Sequence, residues 1–165
     1  MALASAAERM RKSILPAGSA NVPAPEDGWL DVARLARVEV TSEEPGHPVE
    51  DALSPGGGSG WRAGASGPQR VRLCFDEPQR IQRIRLHFVE TQRERRQEFV
   101  LRWSADGRTF GDIVRQQWNF SPSGATSETE NYAVALSEVA VLELCIIPDV
   151  SGSDLRASLA EWRLA

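Results

Sequence analysis

Apolar positions recur at every second residue along most of this chain. Arg37-Val38-Glu39-Val40-Thr41 alternates polar and apolar, the pattern of a strand with one face buried. Val71, Leu73 and Phe75 share one face of the run 70–75. Ile84, Leu86 and Phe88 do the same in 81–89, and Phe99, Leu101 and Trp103 in 97–104. The pattern predicts further strands over 112–120, 129–136, 141–148 and 158–164. Glu77-Pro78-Gln79 and residues 137–140 read as turns. Ala105-Asp106-Gly107 reads as a hairpin, because Asp-Gly tolerates positive φ. No long segment has a 3.6-residue period. Short strands at close spacing predict an all-β fold, an antiparallel β-sandwich of the jelly-roll type. Its inward set is Val38, Val40, Val71, Leu73, Phe75, Ile84, Leu86, Phe88, Phe99, Leu101, Trp103, Leu142, Leu144, Ile146 and Leu159.

The alternation is absent at the start of the chain. Residues 1–28 are rich in Ala, Pro, Ser and Gly and read as an arm or linker, with a short helix over 3–15. The sandwich domain is then 29–165, with Trp29 and Leu30 docking the arm onto it. Pro45, Pro48, Pro55 and a glycine cluster make 42–60 a long loop, with room for one helical turn over 49–53.

Composition narrows the function classes. The 165 residues carry a net charge of −4, whereas a nucleic-acid binder usually carries a basic surplus, so no nucleic-acid partner is expected. No apolar run approaches the roughly 20 residues of a membrane helix, so no membrane span is expected. The N-terminal stretch has no sustained apolar segment before its charges, and a cytoplasmic location is expected. Two cysteines, Cys74 and Cys145, form no CxxC pair, and His47 and His87 lie far apart, so no zinc spacing exists. The cysteines are expected as reduced thiols in strands, able to face each other if those strands pair. There is no GxSxG, P-loop or HExxH and no nucleophile–base spacing, which points away from an enzyme.

The order of the pieces resembles the discoidin domain, the coagulation factor five/eight type C domain, a galactose-binding-like jelly roll. The resemblance runs over about residues 29–165. It is carried by 36–43, 48–53, Gly60-Trp61-Arg62, 71–75, 81–84, the segment 98–110 with its Ser104-Ala105-Asp106-Gly107 hairpin, and the closing 157–162. It implies a non-catalytic module that binds sugars, lipid headgroups or proteins through loops at one end. Many sugar-binding members have an acidic, calcium-holding loop before the tryptophan. Here that stretch is Leu53-Ser54-Pro55-Gly56-Gly57-Gly58-Ser59-Gly60-Trp61 and the aspartate is missing. Glu161 matches the C-terminal carboxylate of that site. One carboxylate is poor provision for a cation that takes six to eight oxygens, so no cofactor is expected and calcium stands only as a weak candidate.

In an antiparallel meander alternate loops share an end. Loops 90–96, 119–128 and 149–157 then lie together, and the family places 42–60 with them. That end collects His47, Arg93, Arg95, Arg96, Trp118 and Asn119, bordered by Trp61. Aromatic faces stack on sugar rings and forked donors hold hydroxyls, so these residues are the candidate site for a carbohydrate or other small polar ligand. Each has a plainer role open to it. Trp118 could be core and Trp61 a plug of the sandwich end. The charge run 91–98 could be a solvated turn, with Glu90, Glu94 and Glu98 pairing to its arginines. The other reading is a protein-interaction scaffold that uses the N-terminal arm.

Overall fold

Two strands of 21 residues set the architecture, one holding Leu73 and Leu86 and the other Leu142 and Tyr132. The computed structural model describes residues 28–54, 56 and 58–165; the predicted arm and its helix over 3–15 lie outside the described residues. In chain order the elements are α1 (Val32–Leu35), β1 (Ala36–Val40), α2 (Glu50–Leu53), β2 (Trp61–Ser66), β3 (Gln69–Val89), β4 (Arg95–Ser104), β5 (Gly111–Phe120), β6 (Ser127–Ile147), β7 (Arg156–Leu159) and β8 (Glu161–Leu164). All strand pairs are antiparallel, in the order β1-β3-β6-β4-β5, with β8 also on β3 and β2 paired to β7.

The turns predicted at 77–79 and 137–140 are corrected by the structure. Both segments are bends inside continuous strands, and they lie side by side, with Gln79 opposite Val139. Pairing skips from Cys74↔Val141 to Gln79↔Val139, so Pro78, which has no N–H to give, sits where the ladder is already broken. Glu138 takes φ +58° at the same bend. The paired bends divide each long strand between two layers. The first halves of β3 and the second halves of β6 lie with β1, β4 and β5; the other halves lie with β8. Phe88 of one layer meets Phe99 of the other with ring centroids 5.1 Å apart. The run 158–164, predicted as one strand, is two, divided at Ala160, whose N–H bonds the His87 carbonyl.

The predicted inward set is buried, except that Val38, Val40 and Trp103 are half-buried and pack against the core. Burying each large side chain is worth about 1.5–3 kcal/mol before entropy. Trp29 is buried under the guanidinium of Arg83, 4.2 Å from its ring, and Leu30 N–H bonds Leu164 O at 2.6 Å. The predicted Asp-Gly hairpin is present, with Gly107 at φ +75° and Asp106 Oδ1 accepting the N–H groups of Arg108 and Thr109. Cys74 and Cys145 are free thiols that do not face each other. Cys74 lies opposite Val141 and Cys145 opposite Arg70, and each thiol donates to a carboxylate, Glu39 and Glu143.

Candidate functional site

The strand bends leave the predicted loop end intact. Glu90 N–H bonds Thr126 O, Val150 N–H bonds Arg96 O, and Arg156 lies 3.4 Å from Glu44, so loops 90–94, 121–126 and 148–155 meet the 42–60 segment. Two clefts open there. The first, about 180 Å³, is lined by His47, Ser59, Trp61, Arg62, Glu90, Gln92 and Ser158, with Val89, Leu159 and Ala160 among its apolar atoms. His47 Nδ1 pairs with Ser59 Oγ at 2.8 Å, which fixes the ring and leaves Nε2 without a partner among the described residues. Gly60 sits between the lining residues Ser59 and Trp61 and packs closely on the backbone of Leu159 and Ala160. At φ +78° it lets Trp61 follow at once, and a Cβ there would sit 2.6 Å from Leu159 O.

The second cleft, about 320 Å³, is lined by Glu94, Arg95, Arg96, Asn119, Asp149 and Ser151. Its carboxylate Asp149 accepts the N–H and hydroxyl of Ser151, which hold its pKa down to about 2. Between the clefts stands an ion pair. Arg95 Nη2 lies 2.8 Å from Glu90 Oε2 with both side chains buried, and Arg95 Nη1 donates to Arg156 O. Glu90 Oε1 also accepts the N–H groups of Gln92 and Arg93, so one carboxylate shapes the whole 90–94 turn. Burial lowers the pKa of Arg95, and Glu90 opposes that shift.

The residues grouped from the sequence are thus distributed over four environments. His47 and Trp61 line the first cleft, and Arg95, Arg96 and Asn119 the second. Arg93 is exposed and faces Asp154 at 3.7 Å. Trp118 is half-buried against the core, because it shares the inward face of β5 with Phe120 while Asn119 faces out. Trp61 begins β2, is 1% exposed and donates its indole N–H to Ser42 O. Of the acidic residues expected to pair with the arginines of the charge run, Glu90 holds Arg95, while Glu98 instead holds Arg115 of β5 at 3.0 Å. Sequence reading did not single out Ser59, Arg62, Gln92 or Ser158. Glu90 carried a signal, since it extends the inward series Ile84, Leu86, Phe88 with a charge.

No family model and no curated protein matches the sequence. Solved structures do match the fold. The family 32 carbohydrate-binding module of NanJ from Clostridium perfringens, in complex with galactose, aligns with TM-score 0.60 at 15% identity over 82% of this chain and 96% of that one. A second module from that organism, CpGH89CBM32-4 in complex with GlcNAc-α-1,4-galactose, gives 0.60 at 16% over 89% and 99%. A pectin-binding carbohydrate-binding module gives 0.57 at 18% over 79% and 89%. This chain has the galactose-binding-like jelly-roll fold.

Within the galactose-binding-like fold, the calcium loop raised by the resemblance can be tested against the residues present. Glu161 Oε1 lies 3.8 Å from Arg85 Nε, and its Oε2 3.9 Å from Arg163 Nε. The described residues hold no cluster of three or more His, Cys, Asp or Glu side chains that could bind a metal ion. A carboxylate flanked by two guanidinium groups does not fit a divalent cation.

Proposed function

We propose that the chain is a non-catalytic carbohydrate-binding module and that the first cleft is its sugar site. The observation that carries this reading is the lining of that cleft. His47, Arg62, Gln92 and Ser158 offer donors and acceptors around a small apolar strip from Val89 and Leu159. A sugar ring, with hydroxyls at its rim and C–H groups on its face, complements that lining. The structural neighbours that hold galactose and galactose-containing disaccharides support the ligand class.

Binding rather than catalysis is favoured by how the carboxylates are held. Glu90 is an acceptor in an ion pair, and Asp149 is kept ionised, so neither is poised as a general acid. The scaffold reading has less behind it, since the solved structures that match are carbohydrate-binding modules. Among the described residues no helix is long and apolar enough to cross a membrane.

Among the described residues no aromatic side chain is exposed at the loop end; Trp61 and Phe120 are buried and Trp118 half-buried. Without a stacking platform, affinity for one sugar should be weak, with Kd near ~1 mM, or about −4 kcal/mol. A glycan array printed with multivalent neutral glycans tests the reading. Signal for the natural chain that disappears in Arg62→Ala and His47→Ala supports it. A blank array, together with no detectable binding in solution, overturns it.

A further inference from the structure

The second cleft has the makings of a binding site in its own right. Arg96 and Asn119 are cross-strand partners on the outer face of β4 and β5. Both are exposed, and among the described residues neither side chain has a hydrogen-bond or ion-pair partner. Arg95 lines the same cleft at 5% exposure, and its Nε is buried with no acceptor. A buried guanidinium N–H without a partner is unfavourable, because it has given up water and gained no acceptor. Arg95 is already neutralised by Glu90, so Arg96 shares the cleft with two carboxylates, Glu94 and Asp149, and the lining carries no positive surplus. That balance suits a group that both donates and accepts, and it disfavours an anion.

We propose that the second cleft is a subsite for an adjoining sugar residue of an oligosaccharide whose first ring occupies the His47 cleft, and that this residue is neutral and hydroxyl-bearing. The inference rests on the carbohydrate reading above. Glu90 lines the first cleft and Arg95 the second, so their 2.8 Å ion pair joins the two linings, and the glycosidic linkage of the proposed ligand would cross it. Arg96 and Asn119 donate to the hydroxyls of the second ring, while Asp149 accepts from them.

The test is an NMR titration of the full ¹⁵N-labelled chain. The probes are galactose, N-acetylgalactosamine, N-acetylglucosamine, the neutral disaccharides GalNAc-β-1,3-galactose and GlcNAc-α-1,4-galactose, and digalacturonate. At least one neutral disaccharide should bind tenfold or more tightly than its component monosaccharides and should shift the Asn119 side-chain amide, which the monosaccharides leave in place. Arg96→Ala/Asn119→Ala changes only exposed positions. It should erase the disaccharide gain and leave monosaccharide affinity unchanged. Three results overturn the subsite: equal affinity for mono- and disaccharides, a gain that survives the double variant, or tighter binding of digalacturonate than of the neutral pairs. Each of these leaves the first cleft standing as a sugar site. Failure of every saccharide overturns both.

Discussion

Glu90 and Arg95 form a buried ion pair at 2.8 Å that separates two clefts and anchors the turn between β3 and β4. Removing one partner strands the other charge away from water, which typically costs about 3–5 kcal/mol. Arg95→Met should therefore lower the urea midpoint strongly. Glu90→Gln combined with Arg95→Met should recover much of that loss, because no charge is left unpaired. Equal destabilisation in the single and double variants would show that packing, not charge, is at stake.

Gly60→Ala tests the backbone that joins Ser59 to Trp61, both of which line the first cleft. A Cβ would meet Leu159 O at 2.6 Å and Ala160 Cα at 2.8 Å, both backbone atoms, at a φ of +78°. The neighbouring β2–β7 pairing begins at Trp61↔Leu159, so it must shift. A loss of about 2 kcal/mol or more is expected by denaturant unfolding, with weakened sugar binding. An unchanged midpoint contradicts the placement of this loop.

Trp118→Ala separates core from site. The ring packs against the core from the inward face of β5, so its loss should cost about 2–4 kcal/mol of stability. Sugar affinity at the first cleft should stay within twofold in conditions where the variant is folded. A tenfold loss of affinity with unchanged stability contradicts that role.

The thiols give a pH prediction. Burial, then the neighbouring carboxylates Glu39 and Glu143, raises Cys74 and Cys145 from 9.0 to about 11. A folded-state pKa above the unfolded one means that their contribution to stability is complete below about pH 9 and fades as the pH climbs through 11. At pH 8 iodoacetamide should alkylate the folded chain at least tenfold more slowly than the urea-unfolded chain. Equal rates contradict the half-buried, hydrogen-bonded placement of both thiols.

The layers of this fold were legible because alternation reports directly on which side chain faces inward. Its segmentation was less so. Pro78 reads as a turn from the sequence, since proline interrupts a ladder either way; only the partner strand decides whether the chain reverses or bulges. Likewise Trp118 and Asn119 are adjacent in sequence and were grouped as one site, yet a strand sends them to opposite faces. The split into two clefts depends on Arg95 reaching Glu90 and Arg156 O, contacts between segments that no local pattern encodes. Ser59 and Ser158 become site residues only when the 42–60 loop folds against the β7–β8 junction.

The central claim is that sugars bind in the cleft around His47. Saturation-transfer difference NMR with galactose, run on the natural chain and on His47→Ala, measures it most directly. Saturation transfer to the sugar ring protons that falls at least fivefold in the variant, while its urea midpoint is unchanged, is the predicted result. Undiminished transfer in His47→Ala, or none with the natural chain across a panel of neutral sugars, contradicts the account.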